Sequence, residues 1–94
     1  MTRGAVFYFA NLGADVSRCI NAVKQGNEVR YGDSLSRAYR TLEELHKTAR
    51  PEAYEEGLLM LRGLVLARTT PETLASFQTS LDSLISVFSA RLIA

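Results

Sequence analysis

Four stretches of this chain repeat apolar residues at alternating spacings of four and three. The first runs Ala5, Phe9, Leu12, Val16, Cys19, Val23, and the second Tyr31, Leu35, Ala38, Leu42, Leu45, Ala49. The third is Tyr54, Leu58, Leu61, Val65, and the fourth Leu74, Phe77, Leu81, Leu84, Phe88, Leu92. Such spacing lines one face of an α-helix with apolar side chains, whereas a strand needs strict alternation, which no segment shows. The intervals between the stretches carry helix punctuation. Gly26-Asn27 is a stop, because glycine accepts the left-handed cap conformation. Pro51 stands where the first turn of a helix tolerates proline, with Glu52, Glu55 and Glu56 behind it to complement the helix dipole. Thr69-Thr70-Pro71-Glu72 repeats that start signal. Asp33 and Ser34 are alternative caps for the second helix, but the earlier start at Asn27, with Gly32 carried inside, is the expected one.

These signals predict four helices of roughly 18–23 residues, each about 30 Å long. Ninety-four residues make one domain, spanning 1–94. The connections are short, so sequence neighbours should run antiparallel. The expected fold is all-α, an antiparallel up-down-up-down four-helix bundle, and it is expected to be oligomeric.

Oligomerisation is expected because the seams leave apolar residues over. Residues 58 to 67 read Leu-Leu-Met-Leu-Arg-Gly-Leu-Val-Leu-Ala, which is apolar on almost every side of a helix. An ordinary surface helix shows one stripe. The third helix therefore carries a second face of Leu59, Met60, Leu64, Leu66 and Ala67, and the first helix has Phe7, Tyr8 and Ile20 to spare. Between Glu72 and Arg91 the fourth helix has Asp82 as its single charge, and its remaining positions are small: Ser76, Thr79, Ser80, Ser83, Ser86, Ser89, Ala90. Serine is a weaker helix former than the Lys, Glu and Arg usual on exposed faces, and small residues let another helix approach closely. Each leucine left in water forgoes about 1.5–3 kcal/mol. Three or four of them rival the stability of a small domain, so association is favoured over exposure. The expected contact residues are Leu59, Leu66, Ser76, Ser80, Ser83 and Phe88. The expected partner is a second copy, a dimer first of all, or the helix of another protein.

Composition excludes several classes. Apolar residues make up 47% of the chain and charged residues 22%, which argues against disorder. The net charge of +1 offers no overall field for nucleic acid or anionic lipid. The apolar run at 58–67 is far too short to cross a membrane and is broken by Arg62. Six apolar residues at 5–10 fall short of a secretory core segment. One cysteine, Cys19, excludes a disulfide framework within the chain and fits a reducing, cytoplasmic setting.

Candidate chemistry is sparse. Glu43 and His46 form a Glu-x-x-His, the spacing that places two ligands on one face in di-iron carboxylate bundles. The seam residues Leu42 and Leu45 turn Glu43 outward and His46 to the flank, and no second histidine exists in the chain. Cys19 lies on the first seam, where a buried thiol behaves as a small apolar group. Arg37, Arg40 and Lys47 share an outer face of the second helix, with Arg30 further back. That face could meet phosphates, although Glu43 and Glu44 stand at pairing distance from Arg40 and Lys47.

The stretch Ser34-Leu-Ser-Arg-Ala-Tyr-Arg-Thr-Leu resembles the second helix of HEPN-type bundles, over about one helix. That resemblance implies an RNA-associated or toxin–antitoxin component working through Arg37 and Arg40. The family's Arg-x-x-x-x-His ribonuclease motif is missing, because position 41, five residues before His46, is Thr41. Leucine spacing is also similar to that of flagellin export chaperones, without a matching motif. The sequence thus points to a non-catalytic interaction module that needs no cofactor. The alternatives are an RNA-associated role for Arg37 and Arg40, and a metal bound by His46 and Glu43.

Overall fold

The punctuation translates directly into helix ends. The computed structural model describes residues 4–93, apart from the side chains of residues 89, 92 and 93, and holds four α-helices with no strand among the described residues. They are α1 (Ala5–Lys24), α2 (Glu28–His46), α3 (Pro51–Ala67) and α4 (Pro71–Ile93). Gly26 takes a φ of 68°, and Asn27 caps α2 by accepting the Arg30 backbone N–H at 3.0 Å. The early start of α2, with Gly32 inside it, is therefore observed. Its end comes sooner than the apolar spacing predicts. The helix stops at His46, and Ala49 sits at φ 58°, turning the chain into Pro51 instead of extending the seam.

The core is built around α1, which packs against all three other helices, whereas α2 and α4 do not meet among the described residues. On α1, Phe9, Leu12, Val16, Cys19, Ile20 and Ala22 are all fully buried. Ile20, surplus to the sequence seam, is thus core, because a helix with three neighbours buries a wider arc than one stripe. The radius of gyration is 12.9 Å, close to the about 12 Å typical of a folded chain this long.

Two sequence expectations need correction. The buried face of α3 is Ala53, Gly57, Met60, Leu61, Leu64 and Ala67, and Val65 lies 43% exposed. The helix is rotated from the expected seam so that small residues (Ala53, Gly57, Ala67) face the neighbours together with Met60, Leu61 and Leu64. A Cβ on Gly57 would lie 2.7 Å from Leu12 Cδ2 and 3.0 Å from Leu42 Cδ1, so α1 and α2 approach α3 there as only glycine allows. Gly63 makes the equivalent close approach to Phe77 of α4. The second correction concerns Phe88. It is buried, with its ring centroid 4.9 Å from that of Phe9, and belongs to the core. The other members of the fourth seam are buried (Leu74, Leu81) or half-buried (Phe77, Leu84), and Leu92 lies outside the described side chains.

Candidate functional site

At 100° per residue, Leu59, Arg62 and Leu66 fall on one side of α3, away from Leu61 and Leu64. Leu59 is 57% exposed and Leu66 74%. Of the surplus apolar residues on α3, Met60, Leu64 and Ala67 are absorbed by the core, so the unburied remainder is narrower than the sequence suggests. On α4, Ser76, Ser80 and Ser83 are all exposed. Val87, not singled out in the sequence, is 54% exposed one heptad beyond Ser80. The signal for it was its spacing from Ser80. Phe77, three residues before Ser80, contacts Gly63, so this flank of α4 borders α3. Leu59 and Leu66 therefore rim a strip whose other edge is Ser80 and Val87. Asp82 lies about a third of a turn away from the centre of that strip, leaving the α4 edge uncharged. Phe88 takes no part in it.

A different surface lies on α1 and α2. Arg37 and Arg40 are exposed, and neither forms an ion pair among the described residues. Of the pairings expected on that face, Lys47 with Glu44 is formed at 3.2 Å, while Arg40 has none. Between the two helices Asp15 is buried, accepting from Arg18 Nη1 at 2.9 Å and from Thr41 Oγ1 at 2.9 Å. A carboxylate in the interior needs such donors. At the other end of α2, Arg68 donates to both Glu28 carboxylate oxygens at 3.0 and 2.8 Å. Its guanidinium also lies 3.9 Å over the Tyr31 ring.

His46 is exposed and stacks on Tyr54, with centroids 4.3 Å apart and planes 28° from parallel. Glu43 is exposed on the next face, and no three His, Cys, Asp or Glu side chains gather as a metal set among the described residues. Cys19 is fully buried, and burial together with the Asp15 charge pushes its thiol up to about 11. A group protonated to that degree at neutral pH is a poor nucleophile. No helix is long and apolar enough to cross a membrane among the described residues. No family model, curated protein or solved structure matches the chain.

Proposed function

We propose that this chain is a non-catalytic assembly module that pairs with a second copy of itself through the Leu59, Leu66, Ser76, Ser80 and Ser83 face, with Val87 added to it. The observation that carries this reading is the strip between α3 and α4, uncharged along its α4 edge, where large exposed leucines flanked by Arg62 stand beside small serines. Two such strips related by a two-fold axis can set the leucines of one copy over the serines of the other, with no like charges opposed on α4. Burying the exposed parts of Leu59, Leu66 and Val87 from both copies is worth on the order of 5–10 kcal/mol. Association itself costs about 4–15 kcal/mol in lost freedom, so the expected dimer is reversible and concentration-dependent. A long side of a body measuring 38 × 24 × 16 Å is comparable in area with the roughly 800 Å² per partner of standard interfaces.

The same reading takes the helices as an antiparallel up-down-up-down bundle. Pairings between α1 and α4 support it: Phe9 meets Phe88, Gly13 meets Ile85, and Lys24 meets Gln78. Positions rising on one helix match positions falling on the other. A buried lone cysteine is in keeping with a reducing, cytoplasmic setting.

Light scattering between about 10 and 300 µM tests the pairing. The mass should climb from 10.4 kDa toward twice that value, and Leu66→Glu should hold it at 10.4 kDa with the helical signal intact. A native chain that stays at 10.4 kDa throughout overturns self-association. If a foreign helical peptide then binds and Leu66→Glu abolishes that binding, the occupant of the face is a partner helix instead.

A further inference from the structure

A cleft of about 690 Å³ opens between the second half of α1 and the first half of α2. We propose that it binds a phosphate ester carried on a hydroxylated body, such as a ribonucleotide, free or within a single strand of RNA. This proposal is independent of the pairing through α3 and α4.

Three guanidinium groups line the cleft, Arg18 from α1 with Arg30 and Arg37 from α2. Arg30 and Arg37 stand two helical turns apart on the same side of α2, within reach of one intervening ligand. Their side chains make no hydrogen bond or ion pair among the described residues, whereas Arg50 and Arg68 are bonded to Glu52 and Glu28. Arg18 is oriented from below, because its Nη1 donates to the buried Asp15, and Thr41 donates to that carboxylate's other oxygen. The Asp15 charge is thus occupied within the protein, and the remaining Arg18 N–H groups are left for the cleft. Planar guanidinium forks match the oxygens of a phosphate, and they bind more strongly than neutral donors.

The rest of the wall narrows the class. Asn21 and Gln25 are exposed amides that can both donate and accept, and Asp33 is the one carboxylate lining the cleft. Asp33 repels a bare anion but accepts from a sugar hydroxyl or a base amino group. A ligand that presents a phosphate and donor groups together satisfies both parts of the wall. The volume falls within the usual range for small-ligand sites. Arg37 also borders a second groove that leads past Thr41 to Tyr8, Asn11 and Arg40, with Glu43 and Glu44 on its far side. A strand of RNA extended beyond Arg37 would meet Arg40, and a free nucleotide would not reach it.

The test titrates the full chain with inorganic phosphate, a ribonucleoside monophosphate, an RNA of about eight nucleotides and a polyglutamate peptide. The ester should bind more tightly than inorganic phosphate, and Arg37→Gln should weaken it about tenfold or more. Arg30→Gln should act in the same direction. Both side chains are exposed and unbonded, so the helical signal and thermal midpoint should not move. Asp33→Asn should narrow the gap between the ester and inorganic phosphate by relieving repulsion of the bare ion. Loss of RNA binding in Arg40→Gln, with mononucleotide binding unchanged, identifies the strand as the source; an unchanged RNA affinity identifies the free nucleotide. The proposal is overturned if the ester does not bind, if polyglutamate or inorganic phosphate binds as tightly, or if Arg37→Gln has no effect.

Discussion

Cys19 illustrates how far one side chain's setting is decided by its neighbours. Its thiol is fully buried next to the charged Asp15, so both desolvation and charge resist ionisation. In the unfolded chain it loses its proton near 9.0, and in the folded protein near 11. Between those values the unfolded state binds fewer protons than the folded one, so stability is whole below about pH 9 and falls as pH rises toward 11. Tyr31 pushes the same way, because burial raises its hydroxyl above the ordinary 10.0 against the opposing pull of Arg68. Urea denaturation at pH 8 and pH 10.5 should show this loss, and Cys19→Ala should reduce the pH-dependent part by roughly 1–2 kcal/mol. Its effect at pH 8 reports only the lost packing. An equal pH slope in the two proteins would remove Cys19 as the cause.

Within the helices, small residues carry the information that large ones suggest. The seam of α3 traced by four-three spacing passes through Val65, which is exposed, and misses Gly57, which is buried. Helix spacing explains the outcome: α1 and α2 come so close to α3 at Gly57 that three leucine methyls lie within 3.3 Å of where a Cβ would stand. Gly32 is the opposite case, a helix-interior glycine whose added Cβ would meet nothing within 4 Å. Gly32→Ala should therefore stabilise the protein by about 1 kcal/mol, the ordinary helix-propensity difference. Gly57→Ala gains the same propensity but overpacks the core by about 1–3 kcal/mol, for a net result between neutral and about 2 kcal/mol destabilising. Chemical denaturation midpoints of the two variants check the contrast, and a Gly57→Ala protein as stabilised as Gly32→Ala would contradict the close approach.

As a whole molecule, the chain places its leucine–serine strip on α3 and α4 and its arginine cleft on α1 and α2. Since α1 meets α2 on one side and α4 on the other, pairing through α3 and α4 would leave both clefts open to solvent. A dimer that exists only when folded also ties stability to concentration by mass action. The thermal midpoint should rise with protein concentration for the native chain and stay constant for Leu59→Glu or Leu66→Glu. A native midpoint that does not respond over a hundredfold range would contradict the proposed pairing.

The sequence alone determined the helices, the end of α1 and the starts of α2, α3 and α4, because caps, prolines and glycines act over three or four residues and need no distant partner. It also marked Leu59, Leu66, Ser76, Ser80 and Ser83 as side chains left over from any single seam, and they are exposed. Only the tertiary structure decided that Phe88 packs on Phe9, that Leu64 is core, and that Val65 stands outside the core. Those outcomes depend on how closely helices distant in sequence approach one another, which apolar periodicity does not encode. The arginine cleft was hidden for a related reason. Arg37 and Arg40 could be read from α2, but Arg18 and Asn21 join Arg37 only when α1 is laid beside α2, more than a dozen residues away along the chain.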